Sequence, residues 1–227
     1  MPKRLQREQD KLKKRILSLG AMVEERVRMA NRAIELRDGS LAKRIIKTDY
    51  EIDELEVEVE EECLKVLALH QPVAVDLRFL VAVIKINNDL ERIGDQAVNI
   101  AERVKSISKR QRLELSLDYG LMAEKAASML RMSLDSLVNL DLDLAFQVLV
   151  LDDEVDEMAR EMYDYIKREM QKKPDAAGYL INFLFISRHL ERIGDHSTNI
   201  AEEVIYLIEG EIVRHGRWDA KPEETQT

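Results

Sequence analysis

Residues 90–102 read LERIGDQAVNIAE and residues 190–202 read LERIGDHSTNIAE. Ten of these thirteen positions are identical at an offset of 100, which marks an internal repeat. Within each copy the residues Glu91, Asp95, Asn99 and Glu102, or Glu191, Asp195, Asn199 and Glu202, fall within roughly 80° of arc on a helix of 3.6 residues per turn. Leu90, Ile93, Ala97, Ile100 and Val104 take the other side, so the polar stripe belongs at a bundle surface and the apolar one in a core.

The repeat extends upstream. Asp49-Tyr50-Glu51-Ile52-Asp53-Glu54 corresponds to Asp152-Asp153-Glu154-Val155-Asp156-Glu157 at an offset of 103, and Pro72 corresponds to Pro174. The motifs run in the same order in both halves. Aligning 22–39 with 125–142 leaves only Arg28/Arg131, Met29/Met132 and Asp38/Asp141 identical, so the halves diverged except around the acidic motifs.

Helix breakers are sparse, with 8 Gly and 4 Pro in 227 residues. Charged residues make up 35% and aromatics 5%, a composition suited to long amphipathic helices. Breaks at Asp38-Gly39-Ser40, Gln71-Pro72, Ser106 to Ser116, Asn139 to Asp143 and Lys173-Pro174 predict six helices over 3–37, 40–70, 73–108, 117–139, 142–172 and 175–209. The expected fold is all-α: two tandem three-helix up-down bundles related by duplication, spanning 1–109 and 113–210, with a tail over 211–227.

The net charge is -9, which gives nucleic acid no general field to follow. The basic runs Lys3 to Arg15 and Arg103 to Arg112 read as solvated helix faces or ends. Cys63 is the sole cysteine, so no disulfide forms within the chain, and its helical setting predicts a packed thiol. No signal-peptide h-region and no apolar run of membrane length is present, so the expectation is a cytoplasmic chain without membrane insertion.

Carboxylates at i and i+4 repel, so a face kept only for solubility would alternate its signs. Gly94 and Gly194 interrupt helix interiors at about 1 kcal/mol each relative to Ala, which predicts close approach of another backbone or a ligand. Asp49, Asp53, Glu56 and Glu60 form a matching file on the second helix, with Asp152 and Asp156 as equivalents of the first two. Clustered carboxylates with all-oxygen donors suit hard cations. The di-iron Glu-x-x-His pattern is missing, because Gly94 and Gly194 hold the i+3 position. His196 has Gln96 as its counterpart and reads as a neighbour, and His70, His189 and His215 have no spacing that suggests chemistry. A two-metal phosphoester hydrolase and a purely structural bundle with solvated faces both stay open at this point.

The doubled LERIGD-x-x-x-N-I-A-E motif, the paired D-x-x-x-D motifs and the run QPVAVDLRFLVAVIKINNDLERIGD from Gln71 to Asp95 resemble the PhoU family over about residues 10–210. The resemblance implies two three-helix bundles with pseudo-twofold symmetry, usually forming a homodimer, and multinuclear metal clusters of iron, manganese, magnesium or zinc. Carried over by position, the metal ligands would be Asp49, Asp53, Glu91 and Asp95 in the first half, and Asp152, Asp156, Glu191 and Asp195 in the second. Asn99, Glu102, Asn199 and Glu202 are secondary candidates. The resemblance further implies a regulator, not an enzyme, that links the ATPase of the phosphate ABC transporter to the sensor histidine kinase and holds the phosphate-starvation response off. Asp76-Leu77-Arg78 has no equivalent before Leu180, so a partner contact through that element would involve one half only.

Overall fold

The structure, a computed structural model, describes residues 3–110 and 119–211. Among these residues there are seven α-helices, one short 3-10 turn and no strand. The helices are α1 (Lys3–Leu36), α2 (Gly39–Lys47), α3 (Tyr50–His70), α4 (Val75–Ile107), α5 (Tyr119–Asn139), α6 (Leu142–Lys172) and α7 (Ala177–Glu209), and the 3-10 turn Pro174–Ala176 leads into α7. The expected start of the fifth helix at 117, the boundary at 113, the tail beyond Glu211 and His215 lie outside the described residues.

One expectation is corrected. The helix read as continuous over 40–70 is broken at Thr48-Asp49 into α2 and α3. The buried Arg26 guanidinium of α1 donates to the carbonyls of Ile45 and Thr48 and to the Thr48 hydroxyl. The Thr48 hydroxyl also donates back to the Arg44 carbonyl, a bond that bends helices. The ladder tightens at the break, where Ile52 N–H donates to Asp49 O at 2.8 Å, three residues back.

The surviving identity Asp38/Asp141 now has a physical cause. Asp38 Oδ1 accepts from the Ser40 and Leu41 amides at the start of α2, and Asp141 Oδ1 accepts from the Leu144 amide at the start of α6. The residues just before them, Arg37 and Leu140, both have φ of 52°. The same tight connection is therefore built twice.

The α4 and α7 helices lie antiparallel at the centre. The direction follows from the pairs they share: Lys85 with Glu203, Asp89 with His196, and Gln96 with His189. The α4 helix also packs on α1, α2 and α3, α7 packs on α5 and α6, and α1 meets α5. Leu90, Ile93, Ala97, Ile100 and Val104 are all fully buried, as the periodicity requires. Buried apolar side chains from both halves form one continuous core.

Between α3 and α4, Gln71 and Ala74 take positive φ of 45° and 48°. This turn leaves Val73 and Val75 exposed. No described helix is long and apolar enough to cross a membrane.

Candidate metal centre

In the first half the break between α2 and α3 sets Asp49 one turn before Asp53; Asp49 lies near Asp95 of α4, and Asp53 near both Glu91 and Asp95. Burial foremost, then the charges of Asp53 and Asp95, pushes the Asp49 carboxyl up to about 6, and Arg26 opposes the shift. Asp95 is raised by burial and then by Asp53, and Glu91 by burial, Asp95 and Glu56. Glu56 belongs to the same group: burial and the charges of Glu60 and Asp53 raise it. It accepts from Asn87 Nδ2 at 3.1 Å. Four carboxylates are raised together by burial and by one another, and Arg26, Arg92 and Arg192 offset the shift only in part.

The second half is tighter. One oxygen each from Asp152, Asp156 and Asp195 lies within 4.8 Å of the others, a spacing that a single oxygen-liganded cation can bridge. Burial, then Asp195 and Asp156, pushes Asp152 up to about 7. Asp152 Oδ1 is buried without a hydrogen-bond partner among the described residues. A buried carboxylate oxygen with no donor costs free energy that a cation would recover, so the residues present fit a metal ion. Glu191 is raised by burial, with Arg188 pulling the other way, and Arg188 Nη1 holds both Glu191 oxygens at 3.1 Å.

The helix-interior glycines serve side chains of neighbouring helices rather than a backbone. A Cβ on Gly94 would stand 3.2 Å from Ile52 Cδ1, and one on Gly194 would stand 3.2 Å from Asp152 Oδ1. Gly194 thus lets the acidic residue of α6 lie against α7.

Three of the secondary candidates, Asn199, Glu202 and Glu102, have contacts or surroundings other than the cluster carboxylates. Asn199 donates to Asp89 Oδ1 at 3.1 Å, and Asn199 and Glu202 line a different groove of about 550 Å³ with Lys85, Asn88 and Glu203. Glu102 is exposed, 3.8 Å from Arg103. His196 Nδ1 lies 2.9 Å from Asp89 Oδ1. Cys63 is buried and its thiol is pushed up to about 12, which keeps it neutral. Sequence reasoning missed Arg26, Arg160 and Arg188, because basic residues with no repeated spacing carry no signal of their own.

The repeated architecture and its acidic pairs can be compared with known proteins. The family model described as the PhoU domain matches twice, over residues 16–104 and 120–204. The chain belongs to the PhoU family. Its relatives include the phosphate-specific transport system accessory protein PhoU homolog of Clostridium acetobutylicum, 36% identical over 205 residues that cover 90% of this chain and 94% of that one. The homolog of Aquifex aeolicus is 36% identical, with 93% and 96% covered. The crystal structure of PhoU from Pseudomonas aeruginosa superposes with a TM-score of 0.88 at 33% identity, covering 91% of this chain and 99% of that one. The phosphate transport system regulatory protein PhoU from Streptococcus pneumoniae gives 0.82 at 28% identity, with 93% and 100% covered. A PhoU-family fold accounts for both the two-bundle architecture and the duplicated acidic motifs.

Proposed function

We propose that this PhoU-family chain is a metal-binding regulatory adaptor of phosphate uptake. The observation that carries the reading is the paired carboxylate cluster, built at equivalent positions of the two halves from Asp49, Asp53, Glu91 and Asp95 and from Asp152, Asp156, Glu191 and Asp195. Each cluster holds a hard cation, one or several ions, which supplies the missing positive charge and ties the α3–α4 and α6–α7 helix pairs together.

The names of the relatives, accessory and regulatory proteins of phosphate transport, support a role on the phosphate ABC transporter. In this account the chain acts as a homodimer in the cytoplasm without catalytic turnover. It links the transporter ATPase to the sensor histidine kinase and represses the phosphate-starvation response. The exposed turn around Val73 and Val75, present in the first half only, is a fitting protein contact. The test is deletion of the gene with a phosphate-starvation reporter in phosphate-rich medium. The reporter should switch on, and the intact gene should restore repression; a reporter that stays off would contradict the regulatory role.

A further inference from the structure

The two acidic clusters are not equivalent at their outer ends. Beside the second lies a cavity of about 380 Å³ between α6 and α7, into which Asp156 and Glu191 face together with Arg160, Arg188, Tyr163 and the buried Ser187. Ala159 and Asp164 complete the wall on the α6 side. Applying the repeat offsets of 103 and 100, the first half carries Glu56 for Ala159, Val57 for Arg160, Glu60 for Tyr163, Asn87 for Ser187 and Asn88 for Arg188. There the equivalent space is taken by the hydrogen-bonded pair Glu56 and Asn87, with Nδ2 also donating to the Glu56 carbonyl at 2.9 Å. The second half has removed those carboxylates and substituted two guanidinium groups over an open volume.

We infer that this cavity binds an inorganic tetrahedral oxyanion, phosphate being the fitting ion, between Arg160 and Arg188 next to the second metal cluster. The inference rests on the metal reading above. Both arginines are at present spent on the cluster's own neighbourhood: Arg160 lies 3.6 Å from Asp156 and 2.8 Å from Glu157, and Arg188 spans Glu191. Once Asp156 and Glu191 are engaged by a cation, Arg188 is released from Glu191 and Arg160 keeps only its exposed pair with Glu157. Each still has five N–H donors in a fork that matches a tetrahedral oxyanion. Tyr163 and Ser187 add hydroxyl groups at the same wall. With Asp156 and Glu191 on the cation, Asp164 in the wall and Glu157 beside Arg160 are the opposing charges.

The test is equilibrium dialysis of radiolabelled inorganic phosphate at micromolar concentration against the full chain loaded with Mn²⁺, with bound manganese counted by elemental analysis in the same samples. Parent protein should retain both manganese and phosphate. Arg160→Gln/Arg188→Gln should keep its manganese and bind phosphate roughly tenfold or more weakly, while Asn88→Ala, at the equivalent place in the first half, should bind as the parent does. Manganese retained without phosphate, or phosphate binding untouched by the arginine changes, would overturn the oxyanion site and leave the metal reading standing. A parent that retains no manganese would overturn both. Phosphoserine displacing phosphate more effectively than phosphate itself would reassign the cavity to a phosphorylated side chain and overturn the free-ion assignment.

Discussion

His196 Nδ1 lies 2.9 Å from Asp89 Oδ1 across the α4–α7 seam. Its pseudo-symmetric mate is the contact of His189 Nδ1 with Gln96 Oε1, also at 2.9 Å, because the offset of 100 exchanges 96 for 196 and 189 for 89. A second exchanged pair lies further along the seam. Lys85 forms an ion pair with Glu203 at 3.0 Å, while at the mated position Arg103 stands over the Phe185 ring at 5.1 Å. One geometry is thus kept with different chemistry, a carboxylate partner on one side and an amide or aromatic partner on the other.

His189 is pushed down to about 4 by burial, then by Arg103 and Arg192. Its folded-state pKa lies below the unfolded value of roughly 6.5, so it removes stability as pH falls from there toward 4. Gln96→Glu would set a carboxylate against it, as Asp89 is set against His196. The His189 pKa should rise in an NMR titration, and the loss of thermal stability between pH 6.5 and 4 should shrink; an unmoved pKa would contradict this placement.

Asp152 has the opposite sign. Its carboxyl is ionised above about 3.8 in the unfolded chain but holds a proton up to about 7 when folded without metal, so the metal-free fold loses stability as pH rises through that window. Asp152→Asn should therefore stabilise the chelated protein at pH 7.5 by on the order of 1 to 2 kcal/mol, less than the full shift would give because the group stays partly hydrated. The same change should destabilise the protein in the presence of metal. Denaturant unfolding with and without chelator reads both.

Arg26 links the helix break to the first cluster. Arg26→Met would remove the guanidinium's bonds to the Thr48 hydroxyl and to the carbonyls of Ile45 and Thr48, which keep only their backbone amide donors, at about 1 to 2 kcal/mol of stability. Because Asp49 begins the segment this side chain holds, metal should be lost from the first cluster and kept in the second. Equal loss from both would show that Arg26 acts through global unfolding.

The pH dependence of metal binding follows from the same carboxylates. Protons compete with the cation at Asp49 and Asp152 up to about pH 6 and 7, so occupancy should rise through that range. Chelation should lower the melting temperature strongly at pH 7.5 and little at pH 5. Free ion at one hundred times its dissociation constant adds about 2.7 kcal/mol. Equal chelator effects at both pH values would contradict metal ligation by these groups.

The helix pattern was legible in the sequence because long stretches alternate apolar and polar residues at a period of 3.6 with few breakers. The break at Thr48 was not, since no Gly or Pro marks it and its cause, Arg26, lies 22 residues away on another helix. Asp49, Asp53, Glu91, Asp95 and their mates stood out because duplication kept them while the flanking helices drifted. What one stripe could not tell was its limit: helical spacing extends it to Asn199 and Glu202, yet the approach of α4 turns Asn199 toward Asp89 instead. The role of Gly194 was half legible, as a close approach whose partner, Asp152, only packing reveals.

Elemental analysis of the protein purified without added metal, run beside Asp95→Asn/Asp195→Asn, tests the metal-binding claim most directly. The account predicts stoichiometric iron, manganese, magnesium or zinc in the parent and its loss in the double variant, with the helical fold retained by circular dichroism. A parent that stays metal-free after loading, or a double variant that keeps its full metal content, would contradict it.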